Sequence, residues 1–232
     1  MSIASNMSTF KENFSINLDF LKSKSPPLIG IDISSSSVKM VELSHVGKGN
    51  QLYRMERYVI ESIPAEAVTE GNIVNMEVVS ECLQRGWRRM GTRLKNVSLA
   101  LPITDVITKR INVPAGQRED DLVFQVENEA SQYIPFSLDE VDLDFQVVGP
   151  TAENSDEVEV LIAASRKEKV EDRVAVALSA GLKTLVMDIE TYAAQSAFEL
   201  ALSQLPDGGK NQIIALVDIG STTIKMNVFY NS

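Results

Sequence analysis

Two short stretches of this chain carry the same residue types at the same spacing. One, residues 29–43, reads IGIDISSSSVKMVEL, and the other, residues 216–229, reads LVDIGSTTIKMNVF. They align without a gap, Asp32 on Asp218, Ser37 on Thr223 and Lys39 on Lys225. Each is an apolar run, an acid, a few small residues, a base and another apolar run, which is the pattern of a strand, a tight turn and a second strand. Such a turn suits phosphate. Successive backbone N–H groups in a small-residue turn form an anion-binding concavity, and small residues let the backbone approach the ligand closely. The candidate cofactor-binding set is Asp32, Ser34, Ser35, Ser36, Ser37 and Lys39 in the first stretch, and Asp218, Gly220, Ser221, Thr222, Thr223 and Lys225 in the second. Asp32 and Asp218 end their first strands, where a carboxylate can hold Mg²⁺ through its water shell, since this ion keeps most of its waters. One hairpin of this composition is an ordinary turn. The matched pair points to a site: two hairpins facing each other would clamp one polyphosphate and its metal, in two related halves with a cleft between.

The elements that must position these residues follow from periodicity. Runs at 28–33, 37–44 and 51–61, separated by Ser34 to Ser36 and Gly47 to Asn50, predict a meander of three antiparallel strands. Over 75–90, Val78, Val79, Cys82, Leu83 and Trp87 form one helical stripe, and 97–101 follows as a short buried strand. The next block reads strand 106–113, helix 117–133 with Leu122, Val126 and Ala130 inward, strands 143–148 and 158–165, and helix 167–180, an order that fits two βαβ-like halves. The acidic loop Glu153 to Glu157 sits where a hairpin tip would. Strand 185–189 and helix 190–205 come next, with Pro206-Asp207-Gly208-Gly209 as the stop, and 213–219 with 223–229 form the closing hairpin. Residues 1–25 are polar and rich in Ser and Asn, and from Asn13 to Leu21 the apolar residues nearly alternate. This reads as a flexible tail with a short apolar docking segment, ended by Ser25-Pro26-Pro27.

Composition narrows the function classes. Of the 232 residues, 44% are apolar and 23% charged, as in a soluble globular protein, and the net charge of −10 argues against bulk affinity for nucleic acid or anionic lipid. The basic group Arg85, Arg88, Arg89, Arg93 and Lys95 reads as the solvated face of a helix. Cys82 is the only cysteine, which excludes an intrachain disulfide and fits a reducing compartment. His45 reads as an exposed loop residue, and one Cys with one His cannot build a metal cluster. There is no apolar run of about 18 residues or more and no secretory n- and h-region, so a cytoplasmic protein is expected.

The duplicated hairpin resembles the phosphate-1 and phosphate-2 motifs of the actin, heat-shock-70 and sugar-kinase superfamily. Asp188-Ile189-Glu190-Thr191-Tyr192-Ala193-Ala194 resembles its first connecting motif, which makes Glu190 the candidate catalytic residue, positioning the attacking water. Its position at a helix N-terminus is equally an ordinary place for an acid. The insert looks like the 1C subdomain of FtsA-type proteins. Four segments favour the PilM family, the actin-like proteins of type IV pilus assembly: Gly30-Ile31-Asp32-Ile33-Ser34, Val38-Lys39 with Val41-Glu42-Leu43, Glu129 to Phe136, and Leu161 to Glu168. The resemblance spans 28–232. It implies an α/β, actin-like (ribonuclease H-like) ATPase fold, with a tail at 1–27, subdomain 1A at 28–94 and 183–205, subdomain 1C at 95–182, and the start of a truncated subdomain 2A at 206–232. It also implies ATP and Mg²⁺ as cofactors with at most weak ATPase activity. The implied partners are the cytoplasmic N-terminal tail of PilN, held between 1A and 1C, and other pilus platform and motor proteins. Nucleic acid is not expected as a partner. The implied place is the inner face of the inner membrane, with the membrane touched only through partners. The family's adenosine motif is missing, so ATP binding by this chain is expected to be weak or absent, and the open hairpin edge at 213–229 allows self-association. The alternatives are an interaction module without a working nucleotide site, or a kinase of the same superfamily. Tyr133-Ile134-Pro135-Phe136 reads as a helix end whose aromatics pack behind it.

Overall fold

A computed structural model describes residues 26–46, 53–151 and 156–231. The tail, the turn at Gly47 to Asn50 and most of the acidic loop at Glu153 to Glu157 lie outside the described residues. The chain divides into two compact units, one made of residues 1–102 and 172–232, the other of residues 103–171.

The first unit opens with β1 (Ile29–Ile33), β2 (Ser37–His45) and β3 (Tyr53–Ser62), the expected antiparallel meander. His45 is the last residue of β2, paired with Tyr53 and with the two rings 4.4 Å apart, rather than a loop residue. A small ribbon, β4 (Val68–Thr69) and β5 (Asn72–Ile73), leads into helix α1 (Met76–Met90). Helix α1 begins where the Asn75 carboxamide accepts the Val78 N–H at 3.1 Å, and ends at Gly91, whose φ of 67° is left-handed. Its buried side, Val79, Cys82, Leu83, Gly86 and Met90, is the predicted stripe shifted by part of a turn. Trp87 lies at the margin, its indole N–H donating to the Leu94 carbonyl at 2.9 Å. The basic side of α1 faces solvent as expected, with Arg85 and Arg89 both on Glu61 of β3. Strand β6 (Asn96–Leu101) then returns parallel to β1.

The second unit holds β7 (Val106–Pro114), α2 (Glu119–Tyr133), β8 (Val141–Pro150), β9 (Glu157–Arg166) and the first turn of α3 (Lys167–Ser179). Its sheet runs β7-β9-β8, and β9 is antiparallel to both neighbours. The two outer strands are therefore parallel to each other, joined across β9 by α2. This corrects the expected pair of βαβ halves: only the first forms, with a strand inserted, and the second divides because β10 (Lys183–Ile189) pairs with β6 in the other sheet. Val126 and Ala130 of α2 are buried with Val113, Val141, Val160 and Ile162, as the period predicted.

Strand β10 completes a five-stranded sheet in the order β10-β6-β1-β2-β3. Helix α4 (Glu190–Glu199) follows at once, and gives way to 3₁₀ turns well before Leu205, where it was expected to end. The hairpin β11 (Gln212–Ile219) and β12 (Ile224–Asn231) is a separate two-stranded sheet. The core of this unit joins Ile29, Ile31 and Ile33 of β1 and Val38 and Met40 of β2 to Val79, Cys82 and Leu83 of α1.

Truncating the fully buried Leu83 to Ala is expected to cost about 2–5 kcal/mol. Asn75→Ala, which removes only the cap, is expected to cost about 1 kcal/mol. Urea unfolding of both variants checks the order; a smaller loss for Leu83→Ala would mean that α1 does not seal this core.

Candidate functional site

The two matched hairpins lie in the same unit, and their turns meet. The Ser35 hydroxyl is 3.1 Å from that of Ser221, exactly one repeat of 186 residues away, and 3.0 Å from that of Thr222. The repeat extends to the backbone. Ser34 N–H donates to Ser37 O at 3.0 Å, and Gly220 N–H donates to Thr223 O at 2.9 Å. Asp32 pairs with Lys39 across its hairpin, and Asp218 holds the same register with Lys225. The turns differ at their first residue. Ser34 carries a side chain whose hydroxyl donates to Ser37 O, whereas a Cβ on Gly220 would stand 3.0 Å from Thr223 O, a tight contact that favours glycine in the second turn.

Because the N–H groups of Ser34 and Gly220 close their own turns, hydroxyls are the donors that converge: Ser35 from one side, Ser221 and Thr222 from the other. Ser36 is exposed, and its carbonyl accepts the Ile63 N–H. The hydroxyl of Ser37 lies 3.4 Å from that of Ser34. Both lysines are already held by carboxylates. Lys39 Nζ is 2.7 Å from Asp32, while Lys225 has left Asp218's strand pair for Glu190 at the start of α4. Glu190, the candidate catalytic acid, is thus tied to the second hairpin. Phe198 of α4 stacks on Phe229 of β12, 5.7 Å between centroids, and fixes the same hairpin farther along.

Asp188 belongs to this site and was passed over in favour of Glu190. It pairs with Ala100 of β6, and Gly30 of β1 pairs with Ser98 of the same strand. Continued by two residues, that register sets Asp32 and Asp188 on one face, on either side of the small Ala100. Burial pushes the Asp188 carboxyl above its ordinary range, partly offset by the Ile189 N–H donating to it at 2.7 Å. The signal in the sequence is the strand alternation itself: Asp188 is polar within the run Leu185 to Ile189.

The second unit has a cavity of about 370 Å³. Ile107, Ile134 and Val141 form its apolar side, with Phe136, Arg166 and Lys169 also lining it. The Arg166 guanidinium lies 5.5 Å from the Phe136 ring centre, and Lys109 sits 4.5 Å over Tyr133. Only Ile134 of the Tyr-Ile-Pro-Phe segment is buried; its two aromatics are exposed and carry cations, rather than packing behind the helix end.

The chain resembles known proteins. The family model described as type IV pilus assembly protein PilM matches residues 30–232. Among solved structures, a chain of a PilM-PilN type IV pilus biogenesis complex superposes with a TM-score of 0.73 at 26% identity, over 88% of this chain and 58% of that one. The cytoplasmic domain of EpsL, an inner membrane component of the type II secretion system of Vibrio cholerae, gives a TM-score of 0.41 at 13% identity, over 72% of this chain and 58% of that one. This chain therefore spans a little under three fifths of the length of both. The likeness to the pilus complex bears out the expected actin-like α/β class.

Asp188→Asn is expected to stabilise the fold at neutral pH and to lose that advantage as the pH falls through the carboxylate range. A carboxyl with a raised pKa supports the folded state when protonated and opposes it once charged. Thermal unfolding across about pH 4 to 8 checks this; a less stable variant at neutral pH would show that burial is not what acts on Asp188. With its family model matched over nearly its whole length, the chain belongs to the type IV pilus assembly protein PilM family.

Proposed function

We propose that this chain is an adaptor of type IV pilus assembly that holds the cytoplasmic tail of a PilN-type protein. The observation that carries this reading is the 26% identity across 88% of the chain to a chain of the PilM-PilN complex. The cavity of the second unit is the place for an apolar side chain of such a tail, with Arg166 and Lys169 facing its carbonyl or acidic groups. In this reading the chain works in the cytoplasm and reaches the inner membrane only through its partner, with platform and motor proteins as further contacts. Among the described residues no helix is long and apolar enough to cross a membrane.

The paired turns would hold the phosphates of ATP. The donor set fits: three hydroxyls converge from two turns, and Asp32 can take a water of hydrated Mg²⁺. Among the described residues no group of three His, Cys, Asp or Glu could hold a metal ion, so the ion would keep its waters. Asp32 and Asp218 would orient those waters. Lys39 and Lys225 would turn from their present carboxylates toward phosphate, and Glu190, released from Lys225, would orient an attacking water in any slow hydrolysis. A second reading, an interaction module without a working nucleotide site, is favoured by one observation: the hydroxyls of the two turns bond directly to each other.

Magnesium tripolyphosphate tests the turns without an adenosine pocket. Ser35→Ala combined with Thr222→Val is expected to weaken its binding at least tenfold in calorimetry; no binding by the parent chain, or equal binding by the variant, favours the second reading. For the tail, Thr104→Trp places a large side chain at the mouth of the cavity on an exposed residue. It is expected to weaken binding of a PilN N-terminal peptide at least tenfold while the circular dichroism stays unchanged. Unaltered affinity would remove the cavity as the tail site.

A further inference from the structure

The outer face of the β2–β3 hairpin carries an apolar row with nothing on it among the described residues. His45 pairs with Tyr53, Leu43 with Met55, Val41 with Tyr58 and Lys39 with Ile60. Strand alternation sends these eight away from the buried row of Val38, Met40 and Val59. Met55 is 57% exposed, Tyr58 66% and Ile60 53%. Strand β3 is also the end of its sheet, so among the described residues its outer edge has no paired strand. A long edge beside an apolar row is the combination soluble proteins cover or blunt.

The chain itself supplies a segment of matching form. Residues 13–20 read Asn-Phe-Ser-Ile-Asn-Leu-Asp-Phe, strict alternation with Phe14, Ile16, Leu18 and Phe20 on one side and short polar residues on the other. As a strand these eight residues would be about 26 Å long, which fits along the ten residues of β3. The connection also reaches. Ile29 is level with Glu42, near the Leu43–Met55 end of the hairpin. A new strand beyond β3 lies three strand spacings from β1, about 14 Å. Residues 22–28 span up to about 23 Å when extended. Leu21 would then enter at the Tyr53 end and Phe14 would lie at the Ile60 end, which makes the segment antiparallel to β3.

We propose that residues 13–20 add to the edge of β3 as a sixth, antiparallel strand. Backbone hydrogen bonds occupy the edge, and Phe14, Ile16, Leu18 and Phe20 lie beside the row of Ile60, Tyr58, Met55 and Tyr53, which sets the register. The opposite choice of face would set the four apolar side chains beside Arg54, Arg57 and Glu61, whose charges are engaged with Glu56, Glu42 and the arginines of α1.

Amide hydrogen exchange read residue by residue tests this on the full chain and on its Ile16→Asp/Leu18→Asp variant. In the parent chain, amides of residues 14–20 and those of β3 that point away from β2 are expected to be protected at any protein concentration. In the variant both sets should exchange at least tenfold faster, while α1 amides stay as they were. Unprotected amides at 14–20 in the parent, or β3 protection indifferent to the substitutions, would overturn the proposal. Protection that falls on tenfold dilution, with a dimer in sedimentation, would also overturn it, since the edge would then be covered by a second copy.

Discussion

The buried row of Ile29, Ile31 and Ile33, locked against Val38 and Met40 and sealed by α1, decides what every other residue of the first sheet can do. With a side-chain period of two, burying these sends Gly30 and Asp32 to the opposite face. A slip of one residue would bury Asp32 and expose the isoleucines. Val97, Leu99 and Leu101 of β6 impose the same choice, leaving Ser98 and Ala100 on the face that Asp188 shares. The position of the acids is thus a by-product of core packing, and the turns that follow β1 inherit it.

This is also why so much of the molecule could be read from its sequence. The meander, the α1 stripe and the inward side of α2 are periodic patterns, and each formed close to where its period placed it. The repeated hairpin was legible because one register, Asp32 with Lys39 and Asp218 with Lys225, is written twice. What escaped was whatever depends on which distant element comes alongside. Nothing local says that β9 inserts between β7 and β8, or that β10 leaves its neighbours to pair with β6. Lys225 turns to Glu190 only because α4 starts beside the second hairpin. The early end of α4 has a local cause that was misplaced: Asp207 and Gly208, in the expected stop, take left-handed backbone, but the helix has already loosened into 3₁₀ turns from Leu202.

In the second unit the same physics yields a different surface. Placing β9 in the middle buries Val160, Ile162 and Ala164. On β8, Asp144 pairs with Ala163 and so lies on the opposite face of the sheet, its carboxyl pushed upward by burial, partly offset by the Phe145 N–H. Ile134, the extended residue before Pro135, ends α2 and turns its side chain into this core. The aromatics on either side of that pair, Tyr133 and Phe136, are thereby left outside, where Lys109 and Arg166 lie over their rings. A turn dictated by proline thus sets out two cation-bearing aromatic surfaces, one of them at the cavity.

The pairing of both lysines has an electrostatic consequence. On the strands and helix start that carry the meeting turns, the acids Asp32, Asp188, Glu190 and Asp218 outnumber the bases Lys39 and Lys225, and each of those bases is already paired or in register with an acid. The converging hydroxyls are neutral and offset none of it. A polyphosphate brought to these turns would meet charges of its own sign, so a cation would have to accompany it for the two anionic surfaces not to repel.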